Sequence, residues 1–275
     1  MIRGGRVVLQ QGDVSAALFP STNGQSILCA RGTLAHAADP RSDAMARHAL
    51  LNNIDHQDLR VDTAHGAALG DAVMLSPTFP AEFRNVQAHY PIVFHQEADG
   101  SFQPVALFGF REGQNLFLDG AHWRTDYIPL AIARQPFLIG RDGEGNPVMY
   151  IDLDHPRVGT TKGEMLFREH GGTTDFLERA NSMLQALHEG LATTPAFIEA
   201  LRRHELLEPF ALDIGLGNGT QHRVTGFHTL HEERLRALDG AALEALHRAG
   251  QLQAIYMAIA SLSHLRGMID RMQRR

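Results

Sequence analysis

Residues 90–110 read "YPIVFHQEADGSFQPVALFGF", and this stretch decides how the chain is built. An apolar run is followed by a polar break carrying Asp99-Gly100, and then by a second apolar run. Two β-prone runs around a Gly-containing turn form an antiparallel hairpin. The device recurs in "FLIGRDGEGNPVMYIDL", residues 137–153, where Gly143, Gly145 and Asn146 are the turn residues. Between these hairpins "QNLFLDGAHW" supplies another strand ending at Asp119-Gly120. The segment "TDYIPLAIARQPF" has a helix start, with Thr125 or Asp126 as cap, while Pro129 and Pro136 keep that helix short.

From Gly171 onward the period changes to that of helices. "TTDFLERANSMLQALHEG" has a capping-box-like Asp175 and Glu178, then apolar residues at spacings of three and four. "TTPAFIEALRRHELLEPF" reads as a separate helix, capped by Thr194 with Pro195 in its first turn, and stopping before Pro209. Two further strand-like runs flank Gly217-Asn218-Gly219, a strong hairpin turn. Asp239 then caps "GAALEALHRAG", and Gly250 ends it. In the last segment Leu252, Ile255, Tyr256, Ile259, Leu262, Leu265 and Ile269 make one wide apolar stripe. The fold class this predicts is α+β: a largely antiparallel sheet built from hairpins in the first half, with helices from the second half packed on it. The late hairpin rejoins the first sheet.

The chain has 275 residues, 44% of them hydrophobic and 20% charged, enough to bury a sizeable core. A formal charge of −6 argues against a nucleic-acid partner, because phosphate-backbone binders carry an excess or a patch of Lys and Arg. Cys29 is the only cysteine, which excludes an intramolecular disulfide and a thiolate zinc site. No run approaches the roughly 18 apolar residues of a membrane span, and no apolar signal core stands at the N-terminus, so a cytoplasmic location is expected. Residues 1–44 show no sustained period and give way to a different texture at Met45. They read as an upstream extension preceding a single domain over 45–275.

Sixteen histidines make chance clustering common. "HRVTGFHTLHEE" brings His222, His228 and His231 close to Glu232 and Glu233, a donor set suited to zinc or non-haem iron. Half-exposed sheet residues leading into a helix start, with Glu favoured by the helix dipole, explain it more simply. Asp152, Asp154 and His155 in "YIDLDHPRVG" suit a divalent cation or acid–base work, but a strand end turning at His155-Pro156 explains them more simply. No Gly-x-Ser-x-Gly elbow is present. The segment 122–140, "HWRTDYIPLAIARQPFLIG", holds the only tryptophan. Its Trp123, Arg124, Tyr127 and Arg134 are types enriched in interface hot spots. They suit an interface to a protein partner, with Trp123 mostly buried and Arg124 or Arg134 directed outward. They also suit a sheet-to-helix corner, with Arg124 against Asp119 or Asp126.

Four blocks carry a family resemblance: "LNNIDHQDLRVD", "LSPTFPAEFRNVQAHYPIVF", "FQPVALFGFREGQNLFLDGAHWRTDYIPLAIARQPFLI" and "GFHTLHEERLRALDGAALEALHRAGQLQAIYMAIASLSHLRGMI". In this order they resemble the SapC family of bacterial proteins, from about Met45 to the C-terminus. The resemblance implies an accessory or binding protein associated with surface-layer or outer-membrane systems, non-catalytic and without a cofactor. It assigns no site residue. A protein partner is the expectation, and a homo-oligomer stays open. The alternative is an enzyme of unassigned reaction, metal-dependent through iron, using His222, His228, His231, Asp152 or Asp154.

Overall fold

A computed structural model describes residues 47–274, apart from 143 and 216–220. The expected extension over 1–44, the Met45 start and the Gly217-Asn218-Gly219 turn lie outside the described residues. The strands of the first half are β1 (His48–Leu50), β2 (Arg60–Val61), β3 (Leu75–Pro77), β4 (Ile92–Gln96), β5 (Phe102–Leu107), β6 (Leu118–Asp119) and β7 (His122–Trp123). After them come β8 (Phe137–Arg141), β9 (Pro147–Asp152), β10 (Val158–Gly159) and β11 (Glu164–Met165). Two short helices interrupt this series, α1 (Phe83–Val86) and α2 (Leu130–Ala133). The second half holds α3 (Asp175–Arg203), β12 (Leu207–Gly215), β13 (Gln221–Leu230), α4 (Glu232–Arg236), α5 (Gly240–Arg248), α6 (Gln251–Ser261) and α7 (His264–Gln273). The α+β class is as the sequence predicts.

The main sheet has five strands in the order β12-β13-β4-β5-β3. Residues 90–110 do form its central hairpin, with Ile92 opposite Ala106 and Gln96 opposite Phe102. Ile92, Val93 and Phe94 are all buried, so both faces of β4 are covered, which is why its apolar run does not alternate. The late hairpin rejoins this sheet through Phe227 opposite His95 and His228 opposite Phe94. A second sheet, β1-β9-β8, contains the other predicted hairpin. Phe137 and Ile151 on it pack with Leu177, Ala180 and Leu184 of α3. Further along the same helix, Phe197, Ile198 and Leu201 join the core of the main sheet.

α3 corrects the expectation of two helices, since residues 175–203 form one helix of 29 residues with Pro195 inside it. At about 1.5 Å per residue it is long enough to serve both cores, and burial on both offsets the interrupted ladder. Pro195 cannot donate to the Leu191 carbonyl, and its ring crowds that carbonyl. The Thr193 and Thr194 hydroxyls both donate to the Gly190 carbonyl, at 2.8 and 3.1 Å. Thr194 is thus a helix-interior residue and not a cap. Pro195 is exposed, so Pro195→Ala has no packing to lose. An interior proline costs about 3 kcal/mol, of which about 1 kcal/mol is returned through a stiffer unfolded chain. The substitution should therefore stabilise the fold by about 2 kcal/mol, read as a higher melting temperature.

The predicted caps shift by small amounts. Thr174, one residue before Asp175, caps α3 by accepting from Leu177 N. Neither Thr125 nor Asp126 caps α2, whose N-cap position is Pro129. Asp239 caps α5 as expected, accepting from Ala242 N at 2.8 Å. The single C-terminal stripe is divided between α6 and α7, and Tyr256 is 54% exposed and does not belong to it.

Candidate functional site

The segment 122–140 is pinned from beneath by a buried polar frame. Tyr90 sits in the aromatic core with Phe108 and Phe117. Its hydroxyl accepts from Trp123 Nε1 at 2.7 Å and donates to the Tyr127 carbonyl at 2.5 Å. Burial pushes the Tyr90 pKa up to about 12, so this hydroxyl stays protonated at neutral pH. Glu82, 3% exposed, accepts from Thr78 Oγ1 at 2.6 Å, Tyr127 Oη at 2.8 Å and Leu130 N at 2.7 Å. Burial raises the Glu82 pKa against these three donors. Burial and the Glu82 charge also push Tyr127 upward.

A second buried centre lies next to it. Asp71 accepts from Arg157 Nη2 at 2.7 Å and Gly66 N at 2.8 Å, and His65 Nδ1 lies 3.2 Å away. Burial works to raise the Asp71 pKa, but these bonds and the Arg157 charge outweigh it and hold the carboxyl below its ordinary range. The His65 ring meets Trp123 edge-on at 5.7 Å, which joins the two centres. Neither centre has a short-range sequence signature.

Of the predicted interface residues, Trp123 and Tyr127 are half-buried members of this frame. Arg124 is exposed and pairs with Asp119, one of the two partners expected for it. Arg134 is a correction: it is 8% exposed and donates to the Phe137 carbonyl, bracing the corner instead of facing outward. Its position at the end of a four-residue helix turns the side chain back toward the following strand.

Above the frame a groove of about 240 Å³ is lined by Arg124 and Asp126 of the corner, His89 after α1, and His264 and Arg271 of α7. Phe117 forms its floor, with the Arg271 guanidinium 4.8 Å from the ring centroid. His264 Nε2 lies 3.0 Å from the Gln87 carbonyl, which ties α7 to the groove wall. Of these, the sequence marks Arg124 as an interface residue and Asp126 only as a cap or counter-ion. His89, His264 and Arg271 come from segments far from it in the chain.

Of the residues of the metal alternative, His228, His231, Asp152 and Asp154 make separate contacts, and the His222 side chain lies outside what is described. β13 carries a bulge opposite β12, so that Phe210 pairs with Phe227 but Leu212 pairs with Val224. The extra residue interrupts the alternation of the strand between Val224 and Phe227. His228 packs on Phe102 at 4.8 Å, and burial, with His95 nearby, lowers its pKa. His231 caps α4 by accepting from Arg234 N. Asp154 pairs with Arg47 at 2.9 Å, and Asp152 accepts from Asp154 N at the strand end. Among the described residues, no group of three or more His, Cys, Asp or Glu is placed to hold a metal ion.

Together these features define an α+β domain with a rigid polar corner and a charged groove on its outer side. The chain belongs to the SapC family, whose sequence model matches residues 51–268. None of the curated proteins and none of the solved structures compared matches it. Among the described residues, no helix is long and apolar enough to cross a membrane.

Proposed function

We propose that the chain is a non-catalytic accessory protein that holds a protein partner at the Arg124 corner, within a surface-layer or outer-membrane-associated system. Family membership supports the accessory role in general. The link to surface-layer or outer-membrane systems rests on what the family resemblance implies. One observation carries the choice of site: Arg124 is exposed on a segment whose neighbours Trp123 and Tyr127 are fastened to buried Tyr90 and Glu82. A surface held in place before binding loses little freedom on docking, which favours affinity. The Arg124–Asp119 pair is half-exposed on both sides. Such pairs are worth about 0–1 kcal/mol, so Arg124 can exchange Asp119 for a partner's group.

The test is affinity capture with the full chain from cells that produce it, beside the Arg124→Glu variant. Components of surface-layer or outer-membrane systems should be enriched by the wild type and reduced at least about tenfold by the variant. The stabilities of the two proteins should agree within about 0.5 kcal/mol, since position 124 is exposed. Equal capture by both proteins would place the interface elsewhere.

A further inference from the structure

We propose that the groove between the corner and α7 is a recognition site for a single carboxylate side chain on an acidic segment of a protein partner. This rests on the interface reading above and supplies its chemistry. Arg271 is the central group. Its guanidinium lies against Phe117, and it makes no ion pair with a carboxylate among the described residues. With its Cζ 4.8 Å from the ring centroid, the guanidinium sits over an apolar face that takes none of its N–H groups as an ion-pair partner, and a carboxylate is the planar acceptor that a guanidinium fork fits. Arg124 shares the lining and is paired with the exposed Asp119, and His89 and His264 line the same groove.

Two features select a carboxylate over other anions. At about 240 Å³ the groove is smaller than the roughly 300–1,000 Å³ of small-molecule sites, a size suited to one side chain. Asp126 on the rim opposes high local negative charge, and the whole chain carries −6. A dianionic phosphate or a nucleic-acid backbone brings more negative charge than the lining can balance, whereas one carboxylate that takes the place of Asp119 on Arg124 matches the single positive charge left by Arg124 and Arg271 against Asp126.

The only tryptophan, Trp123, is bonded to Tyr90 beneath the groove and adjoins Arg124, so its emission reports on occupancy. The full chain is titrated with an acetylated, amidated tetraglutamate peptide, with the tetraglutamine peptide, with inorganic phosphate and with a single-stranded oligonucleotide. Tetraglutamate should give a saturable change that tetraglutamine does not, with phosphate and the oligonucleotide at least about tenfold weaker. Arg271→Gln should weaken tetraglutamate binding at least about tenfold. Arg271→Lys should fall between, because it keeps the charge and loses the planar fork. Arg124→Gln, on the exposed rim, provides a second variant should Arg271→Gln impair folding. Equal binding of tetraglutamate and tetraglutamine, or equal binding of phosphate, overturns the proposal. So does tetraglutamate binding that neither arginine affects. The titration needs no native partner, so its failure is distinct from a failure of the capture experiment, which reads the interface itself.

Discussion

Asp71→Ala is expected to remove about 3–5 kcal/mol of stability, enough to leave the domain marginal. The Asp71 side chain is 0% exposed and that of Arg157 is 5% exposed, so removal of the carboxylate leaves a guanidinium in the interior without its counter-charge. The Gly66 N–H loses its acceptor as well. Urea unfolding of the single variant, of Arg157→Met and of the double variant checks the cause. If the uncompensated charge dominates, the double variant is more stable than Asp71→Ala. A further loss in the double variant would mean that Arg157 acts through its backbone bonds to Asp62 and Ala64 instead. The carboxylate also sets a pH dependence. Its folded pKa lies below the unfolded value of about 3.9. The stability it contributes is therefore fully present above that value and is lost as pH falls below it toward the folded pKa. Asp71→Ala should lack this acid-limb component.

Ile255→Ala should cost about 2–5 kcal/mol, the range for deleting a fully buried branched side chain with a cavity left behind. Ile255 is 0% exposed on α6 and belongs to the main-sheet core with Phe197, Leu246 and Met268. The neighbouring Tyr256 is 54% exposed, and Tyr256→Ala should stay within about 0.5 kcal/mol of the wild type. Thermal melts of both proteins decide it. A large loss for Tyr256→Ala with none for Ile255→Ala would show that the helix is rotated from the orientation described.

The hairpins were legible because each is written locally: Asp99-Gly100 turns between two apolar runs that pair directly, and residues 137–153 repeat the device. α3 was misread because Pro195 and Thr194 form a sound local start signal, while the burial that carries the helix through them comes from sheets distant in sequence. The β13 bulge was missed although Gly226 at φ +87° permits it, since a lone glycine does not say which pairing slips. At the site, Trp123 and Arg124 are visible as residue types, but which of Arg124 and Arg134 faces outward is not: Arg124 does, and Arg134 is buried. Its role depends on how the chain turns after α2. Asp71 and Arg157 are 86 residues apart, and Arg124 and Arg271 are likewise distant in the chain. No periodicity or spacing links such pairs before the chain is folded.

The position of β13 between β12 and β4 governs the order in which the protein can be made. β4 and β5 leave the ribosome early, yet the strand that covers the far side of β4 is supplied by residues near 227 and 228. At about 5–20 residues per second the nascent hairpin waits on the order of ten seconds for that partner. During this interval Phe94 and His95 present an unpaired strand edge to solvent or to another nascent chain. The danger of aggregation thus falls during translation, and a chain released before residue 230 would carry that adhesive edge permanently.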